Sequence, residues 1–271
     1  MAKAYVETTV LTDALLKPGS RALTATATIR SFEESLLPVY AIKEMKAGPL
    51  HHYVWLHGKL VTTNSWSKTL EQLRKMATTP RRYWVSSAVE ALEAAANKHK
   101  STTLASLVKK YGESAKDDVV LCDRYRLALR SIIMRAWKQR RKLTSSVVQE
   151  LDCYGETELV EERGLIELGD VRCKPKRECS LAHALKGNSE ALQKLRTALE
   201  RQEDKLENVK RLRVLKDLIR VPKQLLDEQK CRHLGDAFFA FFCPTDAVIL
   251  TTNIKDIAPL AGSLGKSAQK P

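Results

Sequence analysis

Gly235-Asp236-Ala237-Phe238-Phe239-Ala240-Phe241-Phe242-Cys243-Pro244-Thr245-Asp246-Ala247-Val248-Ile249-Leu250-Thr251 decides the fold class. The apolar run from Ala237 to Cys243 is far shorter than the ~18 residues a membrane helix needs, and Pro244 stops it. It reads as a buried helix opened by Asp236. Ala247 to Thr251 then shows no polar alternation, the pattern of a strand covered on both faces in a parallel sheet. Helix followed by buried strand is an α/β signature.

Working outward, the tail from Gly262 to Pro271 is small and polar and is expected to fray. At the opposite end of the chain, Ala4-Tyr5-Val6 is a short β-like run ending at Glu7. The Thr-rich stretch Thr24–Thr28 suggests a strand or irregular edge. Leu36 to Tyr40 is a second β-prone run, followed by a helix over Ala41–Lys46 that Gly48-Pro49 interrupts and His51–Leu60 resumes. From about Val85 to Gln224 the pattern is helical. Val89, Leu92 and Ala96 share one face, as do Leu121, Tyr125, Ala128, Ile132 and Ala136. Leu192, Leu195, Leu199, Leu206 and Val209 follow near-heptad spacing in one long charged helix, with Asn188 as its N-cap.

The chain has 271 residues, with 46 Lys+Arg against 32 Asp+Glu and a formal charge of +14. A 44% hydrophobic content supports a real core and excludes disorder along the whole chain. Gly and Pro are too scarce for a collagen-like or low-complexity protein. Met1 to Glu7 has no apolar segment of the signal-peptide kind. Six scattered cysteines suit a reducing cytosol, so a cytoplasmic location is expected. The positive charge points to a polyanion, most simply nucleic acid, with an acidic protein or an inert basic surface as alternatives.

Glu7 and Asp256 each follow a predicted strand, and Asp236 stands at a helix start beside Gly235. Open α/β sheets bind ligands beyond the carboxyl ends of their strands, so acids distant in sequence can converge there. Such a cluster is costly unless a cation neutralises it. Oxygen donors alone select Mg²⁺ or Mn²⁺ rather than zinc. In a basic protein that chemistry suits metal-assisted phosphodiester hydrolysis. Taken singly, each acid has a plainer use. Asp236 caps its helix, Glu44 is solvated beside Lys43 and Lys46, and Asp256 forms a turn.

Together the motifs resemble the PIN-domain ribonucleases. Tyr5-Val6-Glu7-Thr8-Thr9-Val10-Leu11 is similar to the family's opening strand, and Leu37-Pro38-Val39-Tyr40-Ala41-Ile42-Lys43-Glu44 to its second acidic position. Arg232 to Ala240 is similar to the third position, an Asp opening an apolar helix. Thr251-Thr252-Asn253-Ile254-Lys255-Asp256-Ile257 resembles the last motif of bacterial toxin-type members, Thr-x-Asn-x-x-Asp-Phe. The sequence departs from the family at Glu7, where Asp is usual, and at Ile257, where Phe is usual.

The resemblance implies an α/β fold: a PIN-like parallel sheet flanked by helices, built discontinuously from residues 1–85 and 225–271. Residues 86–224 would then be a large, partly basic helical insertion. It further implies a metal-dependent endoribonuclease in which Glu7, Glu44, Asp236 and Asp256 hold Mg²⁺ or Mn²⁺. Thr8, Thr251 and Asn253 would orient carboxylates or the scissile phosphate. RNA is the implied polymer, with DNA left open. The toxin-type likeness implies a toxin–antitoxin setting, with a homodimer and an inhibitory protein as candidate partners and no membrane partner. Glu7 in place of Asp keeps open a second reading, a catalytically inactive PIN-like module that binds RNA or protein. A third is a mostly helical assembly protein.

Other candidates are less specific. Arg124, Arg126, Arg130, Arg135, Lys138, Arg140, Arg141 and Lys142 can track a phosphate backbone, or can pair with the acidic segment 155–170. Trp137 and Tyr125 in that stretch suit base stacking, and by spacing suit core packing better. Cys173, Cys179 and His183, and Cys231 with His233, lack the paired spacing of a zinc site. His51, His52 and His57 do not form a His-Glu-x-x-His motif and read as helix decoration. The near-heptad helix offers a face for self-association or for packing within its own bundle.

Overall fold

The computed structural model describes residues 3–79, 82–98, 112, 117–150, 154, 158–169, 180–202, 206–220 and 228–271. The strands among the described residues are β1 (Lys3–Val6), β2 (Glu34–Pro38), β3 (Ser146–Val148), β4 (Val160–Glu162), β5 (Leu165–Glu167), β6 (Ala247–Leu250) and β7 (Ser267–Gln269). Five of them form one sheet in the order β3-β2-β1-β6-β7, every neighbouring pair parallel. β4 and β5 make a separate antiparallel hairpin, turned through Arg163 and Gly164 at positive φ. Ala4, Tyr5 and Val6 of the central strand are completely buried, as are Ile249 and Leu250 beside them. Burial on both faces is why neither segment alternates apolar with polar.

Helices connect and cover these strands. Between β1 and β2 run α1 (Thr8–Leu16) and α2 (Ser20–Ser31), joined through Gly19 at positive φ. α2 takes up Thr24–Thr28, which is helix rather than strand or edge. Ala25 and Ile29, four residues apart, are its buried positions, and packing on α1 outweighs the modest β-preference of threonine. After β2 come α3 (Val39–Ala47) and α4 (Pro49–Thr63), separated at Gly48 with Pro49 in the first turn of α4. Next are α5 (Trp66–Ala77), N-capped by Ser65, α6 (Arg82–Lys98) and α7 (Asp118–Gln139), which packs along α4.

The segment 86–224 is not confined to a helical insertion. Its residues Ser146–Val148 are an edge strand of the main sheet, paired with Leu36–Pro38. Ser145 and Ser35 exchange further bonds between backbone and hydroxyl groups there. Besides most of α6, all of α7 and the β4–β5 hairpin, that segment supplies α8 (Ser180–Gly187), α9 (Ser189–Glu200) and α10 (Leu206–Arg220). The near-heptad series is therefore broken into two helices that pack on each other. Leu206 is 75% exposed and Val209 45%, while Leu212, Leu215 and Leu218 carry the buried face of α10. Asn188 does cap α9, accepting from the Ala191 N–H at 3.0 Å.

The chain closes with α11 (Glu228–His233), α12 (Gly235–Phe242) and α13 (Ile254–Ser263) around β6. Tyr40 lies 4.1 Å from Phe238 between ring centroids, and Tyr5 meets Phe239 edge-on at 6.4 Å. These rings pin α12 to the sheet and to α3. The polar tail is ordered as β7, because edge pairing uses backbone groups and asks for no apolar side chain. Val248, Ile249 and Leu250 pair with Ser267, Ala268 and Gln269. Among the described residues no helix is long and apolar enough to cross a membrane.

Lys266 links this edge to the buried helix by donating from Nζ to the carbonyls of Ala240 (2.9 Å) and Phe241 (2.6 Å) at the end of α12. A cation on those unpaired carbonyls also complements the helix dipole. Lys266→Met is expected to cost about 1–3 kcal/mol. Scanning calorimetry should therefore show a melting temperature lower by roughly 2–8 °C, and an unchanged value would contradict a capping role.

Candidate active site

Glu7 leaves the end of β1 and becomes the N-cap of α1. Its backbone N–H donates to Leu250 O at 3.0 Å, and its Oε2 accepts from the Thr9 N–H (3.0 Å), the Thr9 hydroxyl and the Thr251 hydroxyl (3.0 Å). Thr9 Oγ1 accepts in turn from the Thr252 N–H, and Thr251 Oγ1 from the Asn253 N–H. The loops after β1 and β6 are thus bonded into one unit. Burial pushes the Glu7 carboxyl up to about 8, with the negative charges of Glu44 and Asp236 adding and the Thr9 bonds opposing.

Glu44 reaches the same edge from α3. Its Oε2 accepts from Thr8 Oγ1 at 2.6 Å. Burial again dominates and raises it to about 7, against the bonds from Thr8 and Tyr40. Its Oε1 lies over Gly235, so close that a Cβ there would stand 2.8 Å from it and 3.2 Å from the Tyr40 hydroxyl. The bare backbone of Gly235 is what lets α12 start against α3.

Asp236 and Asp256 occupy the first turns of α12 and α13. Leu234, not Asp236, holds the N-cap position of α12, and Asp256 lies inside a helix rather than in a turn. Asp236 is 14% exposed, and its Oδ2 is buried against the Arg211 guanidinium. Burial raises its carboxyl, with Asp256 adding to the shift and Arg211 opposing it. Asn253, which precedes α13, also favours the charged form of Asp236.

All seven residues expected at the site, Glu7, Thr8, Glu44, Asp236, Thr251, Asn253 and Asp256, therefore lie along one edge of the sheet. The carboxylates sense one another in a chain, Glu7 with Glu44 and Asp236, and Asp236 with Asp256. Among the described residues, however, no three His, Cys, Asp or Glu side chains stand in a geometry ready to hold a metal ion. A cation already stands at the site. Arg211 of α10 pairs with Asp236 Oδ2 through Nη2 and lies 3.9 Å from Asp256 Oδ2 through Nη1.

Sequence reasoning missed Arg211, which looks like one more charge on a charged helix. It also missed Glu150, two residues past β3, whose signal was an acid just after Val147-Val148. Glu150 accepts from the Tyr5 hydroxyl (2.9 Å) and the Val39 N–H (3.1 Å), and burial lifts it to about 7. It ties three strands together from their carboxyl ends.

The basic stretch on and after α7 is partly engaged with acids. Arg130 makes a two-pronged bond to Glu161 (2.7 and 2.6 Å), Arg140 pairs with Glu158 at 3.2 Å, and Arg126 pairs with Asp123. Arg124 is half-buried, and Lys138 and Arg141 are exposed. Trp137 is a core residue with the Arg140 guanidinium 3.6 Å from its ring centre, and Tyr125 stacks on Trp66. His51, His52 and His57 all lie on α4, where burial lowers His52 and His57 to about 4. Cys173 and Cys179 fall outside the described residues. Cys231 is buried, and His233 Nδ1 contacts Glu207 Oε1 at 2.9 Å.

Comparison of the chain with protein-family profiles, characterised proteins and solved structures finds no match.

Two predictions arise from this geometry. Gly235→Ala drives a methyl group into Glu44 and should destabilise by about 1–3 kcal/mol. Gly262→Ala, where a Cβ meets nothing within 4 Å, should cost nothing or stabilise. Equal melting temperatures for the two variants would contradict the close approach. The second concerns pH. Glu7 and Glu44 keep their protons after the unfolded chain, near 4.5, has lost them. Metal-free stability should therefore fall as pH rises from about 4.5 toward about 8. Calorimetry in EDTA between about pH 5.5 and 8.5 should show this decline. It should be smaller in Glu7→Gln, and an identical decline would remove Glu7 as a source.

Proposed function

We propose that the protein is a PIN-like, metal-dependent endoribonuclease that hydrolyses RNA phosphodiester bonds at the carboxyl edge of its parallel sheet. The observation that carries the reading is the gathering of Glu7, Glu44, Asp236 and Asp256 from four separate elements. Two of them are held near neutral pKa by burial, and a third, Asp236, is 14% exposed and raised by burial against the opposing charge of Arg211. Carboxylate oxygens are the donor type that suits Mg²⁺ or Mn²⁺ rather than a softer metal. The parallel sheet flanked by helices agrees with what the motif resemblance implies.

In this reading Glu7, Glu44, Asp236 and Asp256 would hold the ion, which would supply Lewis acidity toward water and phosphate oxygen. The chain's own part is positioning. Thr9 and Thr251 fix Glu7, while Thr8 and Tyr40 fix Glu44, so that little reorganisation of those two acids remains. Asn253, tied to Thr251 through its backbone, stands beside Asp236 to orient the acid or a phosphate oxygen.

A second reading, an inactive module that binds RNA or protein on the same scaffold, is favoured by one observation. The charge of Asp236 is already balanced internally by Arg211. Incubating mixed RNA with Mg²⁺ or Mn²⁺ separates the two. The nuclease reading expects EDTA-sensitive cleavage that Asp236→Asn lowers by at least the roughly 10–100-fold seen for supporting residues of metal sites. The binding reading expects salt-sensitive RNA retention, indifferent to EDTA, with no products. Equal cleavage by parent and Asp236→Asn would overturn the nuclease assignment.

A further inference from the structure

Arg211 is unlike the other cations of the helical hairpin α9–α10. Lys194, Arg196 and Lys210 pair with acids on their own helices at the surface. Arg211 instead points into the sheet edge, with a side chain only 12% exposed. It is anchored there from behind. Its Nη1 donates to Asn208 Oδ1 at 3.0 Å, and Asn208, itself buried, donates from Nδ2 to the Gln202 carbonyl at 3.0 Å in the turn between α9 and α10. Glu207 holds the same end of α10 to His233, two residues before Gly235. α9 meanwhile packs on α13, the helix that carries Asp256. The guanidinium is therefore held by its own helix at the place where the third and fourth acids of the cluster face each other.

We propose that Arg211 is an internal competitor for the divalent ion. In the metal-free protein it neutralises Asp236 and Asp256, and the ion gains those two ligands only when the guanidinium is displaced. This inference rests on the reading of the four acids as a metal site and assigns that site its regulation. The physical basis is that a fixed guanidinium and a divalent cation cannot both occupy the space between the same two carboxylates. A compact dication outcompetes a delocalised monocation for hard oxygen donors once it is inside. The cost of displacement appears as reduced affinity, since a site open only part of the time binds more weakly by that fraction. A latch closed about ten to one weakens apparent binding about tenfold. Anything that moves α10 away from the sheet edge, such as a polyanion drawing Arg211 onto its phosphates, would open the site in proportion.

The test is calorimetric titration of MnCl₂ into the full-length chain, comparing the parent with Arg211→Met and Arg211→Lys. Competition predicts that Arg211→Met binds Mn²⁺ about tenfold tighter or more, with Arg211→Lys in between. It also predicts that metal-free Arg211→Met melts below the parent and gains more from Mn²⁺. A purely structural role for Arg211 would lower the melting temperature without raising affinity. Unchanged or weaker Mn²⁺ binding by folded Arg211→Met overturns the competition while leaving the metal site standing. Absence of Mn²⁺ binding in every folded variant overturns the metal site and the competition together. If Arg211→Met does not fold, Arg211→Lys decides alone, tighter binding supporting the proposal and equal or weaker binding refuting it.

Discussion

Buried negative charge at one edge of a sheet is the constraint on which the rest of this structure depends. Two unit charges about 4 Å apart repel by about 4 kcal/mol at an effective dielectric constant near 20, and desolvation adds to that cost. A protein relieves such a cluster in three ways: by protonating an acid, by donating hydrogen bonds to it, or by bringing in a cation. All three are in use here. Glu7 and Glu44 are raised toward neutral pH, threonine hydroxyls donate to both, and Arg211 stands against Asp236. A chain that needed only stability would place apolar residues at these positions, and acids buried at such a cost are the kind of cluster that functional sites use.

The fold explains how the acids arrive. Parallel strands end on the same edge, so Glu7 after β1 and the Thr251–Asn253 turn after β6 meet because their strands are neighbours paired Lys3 to Ala247 through Val6 to Leu250. α3 begins directly after β2 and delivers Glu44 within reach of Thr8. α12 can begin beside it only because Gly235 has no side chain. Glu150, past β3, binds the Tyr5 hydroxyl and the Val39 amide and so locks the third strand end to the first two. Aromatic packing of Tyr40 with Phe238 and Phe239 then fixes α12 against α3.

Much of this was legible in residue order. The unbroken apolar run at Ala247–Leu250, the apolar helix after Asp236 and the acids just beyond strand ends are local signals, and they found the parallel sheet and the convergence of four acids from both ends of the chain. What local signals missed depends on tertiary packing. Thr24–Thr28 favours β by side-chain type but is helical because Ala25 and Ile29 bury on α1. Ser267–Gln269 has no apolar pattern, yet pairs through its backbone. Ser146–Val148 is too short to announce itself inside a helical region. Arg211 could not be found by any local rule, since its meaning lies in acids more than twenty positions away. The basic stretch was half legible: its charge is real, but Glu158 and Glu161 occupy Arg140 and Arg130.

The central claim is that these carboxylates share a divalent cation. Its most direct measurement is anomalous scattering at the manganese edge from crystals equilibrated with Mn²⁺. The account predicts an anomalous peak among Glu7, Glu44, Asp236 and Asp256, with the Arg211 guanidinium withdrawn from Asp236. Saturating Mn²⁺ that leaves no peak there, with Arg211 still on Asp236, would contradict it.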